Sequence, residues 1–162
     1  MIFVTIGTQE PFDRLIKAMD EIAFAIKDTE TVVAQVKSGT YEVQHMQTVD
    51  FLSPTEYERT FKESRLIVGH AGMGTIISAL TNLKPIVVMP RLASLGEHRN
   101  DHQLAGAKKL EELNFINVAY DEFQLKEKVM RLFADRTIKP LHEVGDSASD
   151  QLINSLREFV KI

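Results

Sequence analysis

Short apolar runs alternate along this chain with longer stretches of helical periodicity, and turn residues separate the two. Residues 2–6 are apolar or β-branched without a break, the pattern of a strand buried on both faces. The run ends at Gly7-Thr8-Gln9-Glu10-Pro11, with Pro11 suited to a first helical turn. Phe12, Leu15, Ile16, Met19, Ile22, Ala23 and Ile26 then recur at helical spacing. Residues 31–36 read as a second strand, Gly39-Thr40 as a turn, and the weak alternation of 41–46 as a further short strand. Ser53-Pro54-Thr55-Glu56 has the form of an N-cap with proline at the first helical position and an acidic first turn, opening a helix to about Glu63.

The next stretch organises the rest. The apolar run 66–68 stops at Gly69, the loop Gly69-His70-Ala71-Gly72-Met73-Gly74-Thr75 follows, and an apolar helix begins near Gly74. A buried-type strand over 85–89 ends at Pro90 and leads to a dense polar cluster, Glu97-His98-Arg99-Asn100-Asp101-His102-Gln103. A helix over 103–113, a strand over 114–119, a helix over 121–134 capped by Asp121, a loop over 137–143 and an amphipathic helix over 145–162 complete the reading. About six strands alternating with about six helices predict one α/β domain over 1–162, a Rossmann-like doubly wound parallel sheet. Its first strand is expected at the centre, so that the turns after Ile6 and Val68 face one crevice at the carboxyl edge.

Composition narrows the chemistry. A net charge of -4 with scattered basic residues argues against nucleic acid as a partner. With no cysteine in the chain, disulfides and thiolate metal sites are excluded. The first residues lack the basic and apolar regions of a signal peptide, and no apolar run approaches the roughly 20 residues of a membrane span. The expectation is a cytoplasmic protein that reaches a membrane only through a partner.

Gly69, Gly72 and Gly74 at a strand-to-helix turn allow close approach of a ligand, and the helix N-terminus beyond them favours phosphate. The same glycines would also serve a plain tight turn. Their spacing is neither the dinucleotide fingerprint nor a P-loop, which counts against a nicotinamide dehydrogenase or a triphosphatase. The polar cluster offers donors and acceptors suited to sugar hydroxyls, although a solvated loop with Asp101 as helix cap has the same composition. His98 and His102, four apart, would share a helix face and could hold a metal only if that segment is helical; no third ligand stands near them and no metal is expected. His45 and His142 read as surface residues.

Val4-Thr5-Ile6-Gly7-Thr8 with Phe12-Asp13 and Leu15-Ile16, the turn His70 to Thr75, Lys84-Pro85, and Asn100-Asp101-His102-Gln103 together resemble the donor-binding half of a GT-B glycosyltransferase. The resemblance runs to about Val118 and is greatest to the small catalytic subunits of two-subunit UDP-N-acetylglucosamine transferases and their bacterial exopolysaccharide relatives, within the family 28 C-terminal domains. It implies a UDP-sugar whose diphosphate lies on Gly72, Met73, Gly74 and Thr75, with Gly7 and Thr8 facing it and His70 and Ala71 beside it. It also implies uracil at Phe51-Leu52 and the sugar at Asp101, His102 and Gln103, with Asn100 as a further substrate-binding residue. Arg91 or Arg99 would add positive charge. Many relatives carry a glutamate for the ribose where this chain has Ser78, so ribose recognition here is weaker or made elsewhere.

The same resemblance implies no cofactor and no metal, in keeping with the absence of an Asp-x-Asp motif. His70 is the candidate catalytic residue on this chain, though a contact with the donor suits it better than base duty, and the partner is the alternative source of the base. The implied partner is a membrane-associated subunit that binds a lipid-linked saccharide acceptor, with helix 145–162 packing on the domain or on that partner. Two other readings compete: a stand-alone UDP-sugar epimerase or hydrolase, and a non-catalytic nucleotide-sugar binder that regulates a partner.

Overall fold

A computed structural model describes residues 1–8, 10–37, 39–135 and 137–142. The helix expected over 145–162, Gln9 of the first turn and the end of the loop at Glu143 lie outside the described residues. The strands are β1 (Ile2–Thr5), β2 (Val32–Gln35), β3 (Gln47–Val49), β4 (Leu66–His70), β5 (Ile86–Met89) and β6 (Asn117–Val118). The helices are α1 (Asp13–Ile26), α2 (Pro54–Glu63), α3 (Met73–Thr81), α4 (His102–Glu112) and α5 (Glu122–Ala134). The six strands form one sheet in the order β3-β2-β1-β4-β5-β6, each paired in parallel with its neighbour. This is the doubly wound α/β sheet that the alternating pattern predicts, with β1 at its centre.

The interior strands β1 and β5 are buried along their whole length, which explains their apolar or β-branched sequence. Alternate residues of β1 serve opposite faces. Ile2 and Val4 join a core with Leu15, Met19 and Ile22 of α1 and Leu125 and Val129 of α5. Phe3 faces the other way, into a core with Phe61 of α2, Ile76 and Leu80 of α3, and Ala107 of α4. There its ring meets Tyr57 and Phe61 edge-on, with centroids 5.6 and 6.3 Å away.

Several boundaries differ from the sequence reading for definable reasons. Residues 41–46 form no strand. Their donors turn instead to the buried carboxylate of Asp20 on α1, which accepts from Gln44 N–H (2.9 Å), His45 N–H (2.7 Å) and the Tyr41 hydroxyl (2.9 Å). The ladder resumes at β3, whose Gln47 lies opposite Val33. Pro11 stands outside the first turn of α1, because Phe12 is its boundary residue. The strand expected over 114–119 shortens to β6, since Asn114 adopts a left-handed φ of 57° to end α4. At α2 the expected cap is present as a full capping box between Ser53 and Glu56. Asp121 caps α5 by accepting from Gln124 N–H at 2.7 Å.

Candidate functional site

At the carboxyl edge of the sheet, connections from β1 and β4 leave toward opposite faces, and the crevice between them is where open α/β sheets receive ligands. A cleft of about 810 Å³ occupies this position. Of the residues singled out from the sequence, Gly7, Thr8, Phe51, Leu52, His70, Gly72, Gly74, Thr75, Arg91 and Gln103 line it. Residues from four separate connections thus meet in one place.

The turn after β4 is built for close approach. Gly72 is the boundary residue of α3, and no side chain caps that helix, in contrast to α2 and α5. Its first-turn N–H groups, on Met73, Gly74 and Thr75, are therefore donors at the positive end of the helix dipole. A Cβ on Gly74 would meet nothing within 4 Å, so the open space over this turn belongs to the cleft. A Cβ on Gly72 would run into Nε2 of His70, and one on Gly7, whose φ is +76°, would lie 3.0 Å from the same ring. The imidazole of His70 is thus wedged against both glycine turns.

Burial, followed by the charge of Arg91, pushes the His70 pKa down to about 4, with the Thr5 carbonyl opposing. His70 is therefore neutral at pH 7. Its Nδ1 is buried and has no hydrogen-bond partner among the described residues. These features suit an uncharged donor or acceptor beside the turn into α3 and count against base duty.

Arg91 lines the cleft but does not offer its charge freely. Its guanidinium, only 2% exposed, donates to the carbonyls of Ile6 (2.9 Å), Glu10 (2.7 Å) and Pro11 (2.6 Å) and lies over the Phe12 ring at 4.7 Å. Burial pulls its pKa below the usual arginine value, with Glu97 and Glu10 opposing. Arg91 thereby clamps the β1–α1 loop onto the end of β5 and sets the height of Gly7 and Thr8. Gln103 accepts from the Arg91 N–H at 3.2 Å, which leaves its amide nitrogen to donate elsewhere. Arg99 is exposed and does not line the cleft.

The polar cluster divides. Gln103 reaches the cleft, whereas Asn100, Asp101 and His102 do not line it. Asp101 stands at the start of α4 without capping it by its side chain, because its Oδ1 accepts from the Ala93 N–H at 2.9 Å and so braces the preceding loop. Asn100 Oδ1 accepts from the His102 N–H at 3.3 Å. His98 precedes α4, so it shares no helix face with His102, and no group of three or more His, Asp or Glu is placed to hold a metal ion among the described residues. Ala71 is buried in the core, and Met73 is half exposed without lining the cleft.

The structure also adds residues that the sequence reading left out of the site. Gln35, Pro54, Tyr57, Ser78 and His98 line the cleft. Buried Thr5 donates to Gln35 Oε1 at 3.2 Å, and the Tyr57 hydroxyl stands beside the hydroxyls of Thr5 and Thr75. Burial, opposed by those two hydroxyls, raises the Tyr57 pKa. Only the position of Gln35 at a strand's carboxyl end could have marked it in advance.

Comparisons with known proteins agree with this geometry. The model of the glycosyltransferase family 28 C-terminal domain matches residues 1–156. No curated protein sequence matches. Among solved structures, the glycotransferase of kitacinnamycin superposes with a TM-score of 0.62 at 20% identity, covering 83% of this chain and 35% of that one. The solution structure of ALG13 gives 0.59 at 18% identity, covering 96% of this chain and 93% of that one. MurG from Acinetobacter baumannii gives 0.56 at 18% identity, covering 83% and 41%. This chain therefore spans about a third of the first of these proteins and nearly all of the second. With a parallel sheet, a cleft at its switch point and a family match over nearly the whole length, the chain belongs to the glycosyltransferase family 28 C-terminal domains, the donor-side domain of GT-B glycosyltransferases.

Proposed function

We propose that this chain binds a UDP-sugar and transfers the hexosyl group to a lipid-linked saccharide during exopolysaccharide synthesis, together with a membrane-associated subunit that binds the acceptor. The observation that carries the reading is the uncapped first turn of α3 facing a cleft at the switch point, with open space over Gly74. A departing diphosphate needs its growing charge stabilised, and preorganised N–H groups at a helix N-terminus do this without a metal. Gly7 and Thr8 face the same phosphates from β1. Phe51, 73% exposed, with Leu52, Pro54 and Tyr57 forms an aromatic and apolar wall suited to a nucleoside. Gln103 lies at the far end, where the sugar belongs.

The acceptor half comes from outside these 162 residues. This reading draws support from the family assignment and from the small share of the longer glycosyltransferases that the chain covers. Among the described residues no helix is long and apolar enough to cross a membrane. In this reading the partner provides attachment at the cytoplasmic membrane face.

Calorimetric titration of the chain with UDP, several UDP-sugars and ADP, all in EDTA, tests the donor assignment. Metal-independent binding of UDP over ADP is expected, with one sugar preferred. A folded chain that binds none of these, alone or with the acceptor half added, rejects it. Donor binding without transfer in the presence of the acceptor half would favour a regulatory binder.

A further inference from the structure

We propose that His98 is a catalytic residue whose Nε2 takes the proton from the acceptor hydroxyl as the sugar is transferred. The inference rests on the glycosyltransferase reading above and supplies the base that reaction requires. A base must present a lone pair within reach of the hydroxyl. Among the described residues, Glu10, His70 and His98 are the His, Asp or Glu side chains that line the cleft. His70 is wedged against Gly7 and Gly72 with its Nδ1 sealed from solvent. Glu10 is exposed, and no hydrogen bond from a described residue fixes its carboxylate.

His98 meets the requirement. The Asn100 carbonyl lies 3.2 Å from its Nδ1, and the Asn100 N–H donates toward the same nitrogen from 3.4 Å. The tautomer that serves as base is the one whose Nδ1–H donates to the nearer carbonyl, which leaves the lone pair on Nε2. The loop that carries the ring is held on both sides of it. Glu97 accepts from Arg14 at 2.6 and 2.8 Å and from the Leu92 N–H at 2.9 Å, and Asp101 accepts from the Ala93 N–H. Such bracing keeps a reacting group in place.

Position along the sheet edge agrees. The nucleoside wall of Phe51 and Leu52 follows β3, the phosphate turns follow β1 and β4, and His98 follows β5. The strand order therefore places His98 beyond the phosphates, at the end left for the sugar and its acceptor. In the step, the acceptor proton passes to Nε2 and the acceptor oxygen bonds to the anomeric carbon. The bond from that carbon to the diphosphate oxygen breaks, and its electron pair leaves with the diphosphate to the N–H groups of α3.

The test uses the full chain with UDP-N-acetylglucosamine as probe donor and water as probe acceptor, following UDP release and donor affinity together. Wild-type protein is expected to release UDP above the buffer rate. His98→Ala should bind the donor nearly unchanged and release UDP about 100-fold more slowly, with added imidazole restoring part of the rate. His98→Gln, which keeps a polar side chain of similar reach, should be equally slow, with an unchanged thermal melt showing that it is folded. Wild-type rates in both variants would overturn the proposal. So would a rate loss matched by an equal loss of donor affinity without imidazole rescue, which would make His98 a donor contact. Donor binding without release in the wild type would place the base on another chain, and loss of release in Glu10→Gln with His98→Ala active would move it to Glu10. A wild type that binds neither UDP nor any UDP-sugar instead defeats the donor-domain reading itself.

Discussion

A methyl group on Gly74 would meet no heavy atom within 4 Å, whereas one on Gly72 would run into the His70 imidazole. The two glycines therefore predict different outcomes. Gly74→Ala places its methyl in the cleft and adds helix propensity in the first turn of α3, so stability should rise by about 0.5 kcal/mol while UDP binding weakens roughly tenfold. Gly72→Ala must push the imidazole aside and should cost about 1–3 kcal/mol in stability as well as binding. Urea unfolding and calorimetry on the same preparations separate the two. Equal UDP affinity in Gly74→Ala and wild type would remove the phosphate from this turn. His70 makes its own prediction through its pKa, which is about 4 in the folded chain. An unfolded histidine titrates near 6.5. Between these values the unfolded state binds a proton that the folded state excludes, so the stabilisation is complete above pH 6.5 and is lost as pH falls toward 4. From pH 7 to 4.5, wild type should lose about 2 kcal/mol more unfolding free energy than His70→Gln. Parallel pH curves for the two would show that His70 titrates normally.

At the scale of elements, α3 and α4 end by the same device with different residues. After α4, Asn114 takes the left-handed position, with Asn114 N–H donating to Glu111 and Phe115 N–H to Leu110. After α3 the same pair of bonds runs from Leu83 to Leu80 and from Lys84 to Ala79, but the left-handed residue is Leu83, at φ 54°. A branched side chain there costs about 1–2 kcal/mol that glycine would not. Of the pair Leu83→Gly and Leu83→Ala, glycine should be the more stable by about 1 kcal/mol, the reverse of its usual rank. Urea midpoints decide it, and alanine as the better residue would contradict the strained end. Lys84 follows this end and donates to the carbonyls of Lys62 and Ser64, so the lysine of the Lys-Pro pair holds the end of α2 rather than the donor. The sequence made the elements themselves readable because β1, β4 and β5 each open on an unbroken apolar run and α2 carries its cap in adjacent residues. It concealed the path of 41–46, because the donors of that segment are taken by Asp20, more than twenty positions earlier. It also hid the split in the polar cluster. Asn100, Asp101, His102 and Gln103 look alike in composition, and only the fold decides that Gln103 enters the cleft while Asp101 ties down Ala93. Gln35 and Tyr57 were equally out of reach, since their partners Thr5 and Thr75 come from other elements.

For the molecule as a whole, the cleft depends on holding together two strand ends that are more than 80 residues apart in the chain. Arg91 provides that link. It extends β5, accepts the Phe12 ring against its guanidinium, and gathers the carbonyls of Ile6, Glu10 and Pro11, while its own N–H is taken by Gln103. A second tie runs parallel to it, from Arg14 of α1 to Glu97 and to the Pro90 carbonyl. Together they fix the turn that carries Gly7 and Thr8 relative to the loop that carries His98 and the start of α4 that carries Gln103, so both ends of the cleft are held by one frame. Arg91→Leu removes the donors but keeps much of the packing on Phe12, leaving three carbonyls without their partner. The loss should be about 3 kcal/mol in global stability, less whatever water repairs. A purely local brace would loosen the β1–α1 loop alone. A frame spanning the sheet edge should also raise amide hydrogen exchange across 92–103, while α2 and β3, at the Phe51 end of the cleft, keep their protection. Because the phosphate turn of α3 does not depend on Arg91 for its backbone, UDP affinity should fall less than affinity for the full UDP-sugar, whose sugar end must reach the displaced loop. Exchange confined to the first loop, or equal losses for UDP and UDP-sugar, would show that the two halves of the cleft are set independently.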